Sequence, residues 1–499
     1  MGRDYFLQNK FLNVAAVLLI FIAGLLVRFY DLSDLPLDFN PTRQLHSAVI
    51  ARGMYYTHLD NISPEIRDLA VSMWKEQGMI EPQIIERLSA TVYSMLNQEA
   101  LWVPRVLSII FWLIGAFALY RLVCLLLGHA AAVLAFFFFC LLPFSAIASR
   151  AFMPDPLMVS TIVISYLTLV NWDLDRSWKN TIIAGLAAGF AIFIKSTAVF
   201  FILFPFSAFL LSQQNFLTLL KDKKIWILGL LAVLPYISFH FYGYYVTGLL
   251  ASQFNLRFFP EKWIDPIFYL QWKSMVDSTI GFHWLLIALA GTFLISNKTY
   301  RWFVLFGWVG YFIYGMTFSY HIITHDYYQL PLIPLVAIGL STVGSHLISH
   351  LHSKKVSYPI MAVIMLLVLI TTAWDIRVQL KRDDYRHEAG IWQALGHELG
   401  PQAKVVGLTH DYGFRLYYWG WVKSTHWMSS GDFNYRQLAG MTFNTEELFK
   451  EVIEDKDYFV VTLFGELESQ PELKSLLTNN YQVYKDGGDY LIFDLRNRK

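Results

Sequence analysis

The feature that most constrains this chain is the repeated return of apolar stretches close to twenty residues long. A hydrocarbon core about 30 Å thick is crossed by roughly 20 helical residues, each adding about 1.5 Å. On that criterion eleven candidate spans run near 11–29, 102–126, 129–148, 156–172, 180–195, 197–213, 225–247, 280–296, 301–318, 329–350 and 357–374. The fifth and sixth are divided only by Lys195-Ser196-Thr197, so two spans meeting at a tight turn and one long tilted helix both fit.

Composition agrees. Of 499 residues, 56% are hydrophobic and 15% charged, against roughly 25% charged in an average soluble protein. Most of the chain is therefore dissolved in lipid. The net charge of +1 gives no electrostatic case for nucleic acid as a partner. Cys124 and Cys140 both stand inside apolar runs, where a thiol is a packing residue. The first apolar stretch is followed by Arg28-Phe29-Tyr30-Asp31 with no small-residue cleavage site, so it reads as a span that stays attached.

Charge sets the expected orientation. With the N-terminus cytoplasmic, the inner loops hold Arg121, Arg176 with Lys179, Lys221 with Lys223 and Lys224, Lys298 with Arg301, and Lys354 with Lys355. Each short inner loop then carries a cation, as the positive-inside rule expects. The expectation is a multi-pass protein of the inner (plasma) membrane, N-terminus in and C-terminus out. This agreement also supports the turn at 195–197, since losing it inverts every later loop.

The outward side receives the long polar segments. In the first loop, 31–101, helical spacing of apolar residues marks Arg43 to Tyr56, Ser63 to Gln77 and Pro82 to Leu96. The last piece is amphipathic and is expected to lie along the membrane surface. A second outward loop, 248–279, carries Trp263, Tyr269 and Trp272, which suit an interfacial belt. We divide the chain into a membrane catalytic domain over 1–374, including the first loop, and a soluble extracytoplasmic α/β domain over 375–499. In the latter, Glu388 to Leu399 and Thr445 to Ile453 read as helices, Lys404 to Leu408 and Tyr458 to Leu463 as strands. Tyr481 to Tyr484 and Tyr490 to Phe493 flank Asp486-Gly487-Gly488-Asp489 as a hairpin. The fold class is thus mainly α, a polytopic helical bundle with a small appended α/β domain.

Two polar patches interrupt this scheme. Leu37-Asp38-Phe39-Asn40-Pro41-Thr42-Arg43 emerges from the first span, and Ser149-Arg150-Ala151-Phe152-Met153-Pro154-Asp155-Pro156 opens the fourth. Asp38 reads as a solvated loop acid or cap on one side and as a site residue on the other, the latter favoured by Pro41 and Arg43 beside it. Asp155 before Pro156 has the pattern of a helix start, which is compatible with a site role. A carboxylate at the membrane boundary is costly enough to suggest function. Lys195, at the outer end of the fifth span, either snorkels to the headgroups or meets a phosphate. His325 with Glu81 or Asp38 offers the ligand types for a divalent metal, without a ligand spacing. No phosphate-binding glycine loop and no HExxH or CxxC pair is present, so an already activated, lipid-embedded substrate is expected.

In its order of motifs the chain resembles the GT-C membrane glycosyltransferases, in the branch of protein O-mannosyltransferases and lipid A aminoarabinose transferases. The resemblance covers roughly residues 11–350. It rests on Asp38 after the first span, Ile50-Ala51-Arg52-Gly53-Met54-Tyr55-Tyr56, Trp102-Val103-Pro104-Arg105-Val106-Leu107-Ser108, Ser149-Arg150 with Asp155, Lys195, and Tyr327-Tyr328-Gln329-Leu330-Pro331-Leu332-Ile333-Pro334. Two departures stand out: Asp38 is followed by Phe39 where relatives often have Glu, and Glu81-Pro82-Gln83 replaces a stretch with a basic residue or His.

The resemblance implies transfer of a sugar from a polyprenyl-phosphate carrier to a glycan, lipid or protein acceptor at the outer membrane face. It implies Asp38 as general base and Asp155 as the residue that orients the acceptor or stabilises charge on the sugar ring. Arg43, Arg105, Arg150 and Lys195 become the cations for the lipid phosphate, with Tyr327 and Tyr328 beside the substrate. The alternative is a transporter or flippase of lipid-linked sugars, which would bury ionisable residues near the bilayer midplane and show paired broken helices. A third reading makes the C-terminal domain an adhesion or assembly scaffold.

Overall fold

In a computed structural model, the structure describes residues 10–250, 257–350 and 354–499. It divides into two compact units. The first comprises Met1–Leu32, Met79–Ile85 and Pro104–Arg382, and the second Ser33–Gly78, Glu86–Val103 and Asp383–Lys499.

Helices form at every predicted span of the first unit. Among the described residues, Trp102–Leu127, Asp155–Leu174, Lys223–Val246, Asp326–Ser349 and Ala362–Lys381 are each long and apolar enough to cross a bilayer. Shorter apolar helices occupy Asn13–Phe29, His129–Leu141, Trp178–Ile194 and Ser196–Leu211. The junction at Lys195 is a true break. Its backbone is extended (φ −153°, ψ 121°), a tight turn covers Ser196–Ala198, and a new helix begins at Val199. The third candidate span is also broken, at Leu142, because Pro143 opens Pro143–Ala148 as a separate piece. Pro266–Thr279 and Phe282–Phe293 meet at 92°. Gly281 between them has φ 92°, a conformation that favours glycine.

Packing inside this unit follows membrane-helix rules, in which small residues let backbones approach. A Cβ added at Gly189 would lie 2.2 Å from the Leu231 carbonyl oxygen, and one at Gly339 2.1 Å from that of Ala288. The other faces suit lipid: along Lys223–Phe241, Trp226, Leu230, Leu234 and Ile237 are exposed.

The second unit joins two first-loop helices, Pro41–Tyr56 and Pro64–Glu76, and most of a third, Ile84–Leu96, to the C-terminal α/β fold. Five strands are ordered β2-β1-β3-β5-β4, with β1 at Val405–Leu408, β2 at Ser424–His426, β3 at Tyr458–Val461, β4 at Tyr481–Asp486 and β5 at Leu491–Arg498. β1 runs parallel to β2 and β3, whereas β5 is antiparallel to β3 and β4. Trp427, Phe449, Phe459, Leu473 and Phe493 fill the core against this sheet. Arg52 anchors the loop helices: its guanidinium covers the Tyr418 ring at 3.8 Å and pairs with Glu99 at 3.0 Å. Stacking a planar guanidinium on a ring while its Nε pairs with a carboxylate is a geometry lysine cannot supply.

Candidate functional site

Asp155 is the first residue of Asp155–Leu174, followed by the Pro156 that sets the first turn. Its carboxylate does not cap the helix; the position before it is Pro154, and no side-chain cap bond forms. Instead Oδ1 accepts a hydrogen bond from Lys195 Nζ at 2.8 Å. Both residues are buried, at 2% and 6% exposure. The second oxygen, Oδ2, is buried without a hydrogen-bond partner among the described residues. Burying ions is costly unless their lone pairs and protons are satisfied, so an orphaned carboxylate oxygen in an ion pair marks a place for a further group. Glu81 adds a second acid, with Oε1 3.8 Å from Lys195 Nζ.

An aromatic wall completes this pocket of charge. Asp326–Leu332 is a tight helical turn leading into Ile333–Ser349, and it brings Tyr327 and Tyr328 to 5.0 and 5.7 Å from Lys195 Nζ. Both distances lie in the cation–π range. The turn is locked from behind by buried polar contacts. Trp272 Nε1 donates to Tyr311 Oη at 2.8 Å, Tyr311 donates to Gln329 Oε1 at 2.5 Å, and Gln329 Nε2 donates to the Ile322 carbonyl at 2.9 Å. Tyr328 stacks on Tyr314 at 5.5 Å and on His321 at 5.5 Å, and His325 lies against both tyrosines. Burial, with His325, Arg257 and Lys195 nearby, pushes His321 down to about 3, so it is neutral at physiological pH.

The buried arginines take another role. Arg150 donates to the carbonyls of Tyr30 at 2.6 Å and Asp31 at 2.9 Å, and Arg105 to that of Leu32 at 3.3 Å. Arg28, fully buried, donates to Ser149 Oγ at 2.7 Å and to the Cys140 carbonyl at 2.7 Å, next to the helix break at Leu142. Together they tie the exit of the first span to the segment leading to Asp155.

Asp38 and Arg43 belong to the second unit. Asp38 is half-buried in a turn pinned by Gln44, whose amide donates to the carbonyls of Phe39 at 2.5 Å and Pro36 at 3.2 Å. Asn40 then takes a left-handed conformation and Pro41 starts the helix that carries Arg43. Burial, Asp383 and Asp38 together raise the Tyr385 hydroxyl above its ordinary value.

Among the sequence-nominated residues, the structure therefore brings together Asp155, Lys195, Glu81, Tyr327 and Tyr328, with His325 against the tyrosines. It sets Arg105 and Arg150 on backbone carbonyls. Sequence reasoning missed His321 and Arg28 and gave Gln329 no role beyond its place in the Tyr327–Pro334 motif; the His321-x-x-x-His325 spacing was a further visible signal. Among the described residues no group of three or more His, Cys, Asp or Glu side chains is placed to hold a metal ion. Glu81 lies 3.8 Å from Lys195 Nζ, and His325 packs against the rings of His321 and Tyr327.

A family model described as dolichyl-phosphate-mannose-protein mannosyltransferase matches residues 86–242. No curated protein sequence matches the chain significantly. Among solved structures, ArnT from Cupriavidus metallidurans bound to undecaprenyl phosphate is similar, with a TM-score of 0.59 and 15% identity over 96% of this chain and 98% of that one. The Archaeoglobus fulgidus oligosaccharyltransferase in the apo form has a TM-score of 0.62 and 11% identity over 96% of this chain and 74% of that one. The same organism's AglB, in complex with an inhibitory peptide and a dolichol-phosphate, has a TM-score of 0.54 and 12% identity, covering 98% of this chain and 74% of that one. The apolar helical bundle with its small C-terminal sheet therefore shares the GT-C fold of ArnT and the archaeal oligosaccharyltransferase.

Proposed function

We propose that the chain is an integral membrane glycosyltransferase that moves a sugar from a polyprenyl-phosphate carrier to an acceptor at the extracytoplasmic face. The observation that carries this reading is the buried Lys195–Asp155 pair with an orphaned oxygen, set beside Tyr327 and Tyr328 at the start of a span. ArnT with undecaprenyl phosphate and AglB with dolichol-phosphate support a lipid-phosphate donor for this fold.

In this reading Lys195 meets the phosphate leaving group, where a preorganised cation stabilises developing negative charge. Asp155 holds Lys195 in place and offers Oδ2 to a sugar hydroxyl or to the positive charge on the ring. Tyr327 and Tyr328 flank the sugar. Asp38 takes the proton from the acceptor as the C–O bond to the carrier breaks and the new bond to the anomeric carbon forms. Arg43 adds a cation to the loop, while Arg105 and Arg150 act as positioning residues through the carbonyls they hold.

The test is mass spectrometry of lipid-linked sugars and surface glycans in cells lacking the protein, compared with their parent. The reading expects a polyprenyl-phosphate sugar to accumulate and one glycan, glycolipid or glycoprotein to lose that sugar. Identical profiles would sink it.

A further inference from the structure

A separate cavity of about 240 Å³ lies wholly within the C-terminal α/β fold. Drug-sized ligands occupy roughly 300–1,000 Å³, so this space suits a single ring. Trp392 and Leu395, at 2% and 0% exposure, form its floor. The Tyr490 and Phe464 rings supply apolar faces, and Phe464 is exposed at the rim.

The polar groups are arranged for hydroxyls. His410 Nδ1 lies 2.9 Å from Thr462 Oγ1, and the His410 backbone N–H donates to the same oxygen at 3.1 Å. His410 is placed by a strained turn, because Asp411 and Tyr412 both take left-handed conformations (φ 54° and 58°). Glu388 Oε2 accepts from Trp392 Nε1 at 3.0 Å and from Arg415 Nη1 at 2.8 Å. Both bonds fall on one oxygen, which leaves the acceptor capacity of Oε1 for a ligand. Asp489 adds a second carboxylate from the exposed β4–β5 turn.

Charge narrows the ligand. Arg415 is taken up by Glu388 and by Asp411 at 2.5 Å. Burial and Arg415 hold His410 below its ordinary value, which favours the neutral imidazole, and with Nδ1 on Thr462 its Nε2 is left to a ligand. Two carboxylates therefore face the cavity without a free cation beside them. That repels phosphate and accepts hydroxyl or ammonium donors, while the ring faces suit the apolar side of a pyranose.

We infer that this cavity is a sugar-binding subsite for one neutral or amine-bearing ring, and that it recognises the acceptor as a glycan. The acceptor role rests on the transferase reading; the binding site does not.

The experiment is saturation-transfer NMR on the full-length protein in nanodiscs, with methyl glucoside, glucosamine and glucose 6-phosphate as probes. Signal is expected from one or both of the first two and none from the phosphorylated sugar. Phe464→Ala and Asp489→Asn, both exposed rim changes, should each weaken binding by about five-fold or more. Saturating undecaprenyl phosphate should leave it unchanged. No signal from the uncharged and amino sugars, equal binding of the phosphorylated one, or full binding in both rim variants would overturn the site. Sugar binding that disappears with saturating undecaprenyl phosphate would overturn its assignment to this cavity. Intact sugar binding in a protein without transferase activity would remove the acceptor role and uphold the subsite.

Discussion

Lys195 Nζ lies 2.8 Å from Asp155 Oδ1, and the two residues come from the end of one membrane helix and the start of another. The pair closes a gap of forty positions in sequence between a helix terminus and a helix cap. Each charge makes the other tolerable in a buried place, and this interdependence governs how the site responds to substitution.

Either single change should destabilise the protein more than both together. Lys195→Met leaves the buried Asp155 charge uncompensated, which costs about 3–5 kcal/mol, and Asp155→Asn leaves Lys195 only the more distant Glu81 at 3.8 Å. The double variant removes both charges and should recover a large part of that loss. Thermal denaturation in one detergent across the four proteins checks this. Additive losses would show that the pair is not coupled.

Lys195→Ala should weaken binding of a polyprenyl phosphate by at least about ten-fold, since a hydrogen bond to a charged group contributes about 1.5–3 kcal/mol. Titration of the lipid phosphate into the reconstituted protein reads this directly. An unchanged dissociation constant removes Lys195 from the donor site.

For Asp38→Asn, transfer should fall about 10²–10⁴-fold, the usual contribution of a general base, while membrane insertion and lipid-phosphate binding stay normal. Single-turnover transfer from a synthetic donor separates the two. A near-native rate would remove Asp38 from the chemistry.

Arg150→Lys tests positioning against phosphate binding. Lysine keeps the charge but lacks the planar fork that bridges the Tyr30 and Asp31 carbonyls. The denaturation midpoint should drop, with about 1–3 kcal/mol lost for each carbonyl left unpaired, and lipid-phosphate affinity should change little. A lost affinity with unchanged stability would make Arg150 a ligand.

Acid should destabilise the site through His321. Its folded value is near 3, below the ordinary 6.5 of the unfolded chain. Between those values the unfolded state binds the proton and the folded state does not, so stability falls as pH drops below about 6.5. His321→Asn should flatten that decline in the denaturation midpoint between pH 7 and pH 5. An equally steep decline in the variant would assign the effect to other groups.

Hydropathy alone placed the helices of the membrane unit, because a stretch of about twenty apolar residues satisfies its own backbone in lipid only as a helix. The break at Lys195 and the helices Pro41–Tyr56, Pro64–Glu76 and Ile84–Leu96 were legible for the same local reasons, a charge between apolar runs and three-to-four periodicity. So were Glu388–Leu399 and the hairpin around Gly487-Gly488. Ser424–His426 was not, since three residues carry no periodicity, and Pro471–Asn480 was not read as a helix either.

The candidate site divides along the same line. Asp155, Lys195, Tyr327 and Tyr328 announce themselves as polar or amphipathic groups at the ends of greasy stretches, which is a one-dimensional signal. Whether an arginine meets a phosphate or a carbonyl is not, and only the folded packing sent Arg105 and Arg150 to the carbonyls of residues 30–32. The sequence by itself determined that this chain folds in lipid with charged residues at helix ends, because solvation acts on each segment alone. Tertiary structure decided which of those charges neutralise one another and which oxygen remains unpaired, because partners far apart in the chain meet only after the helices pack.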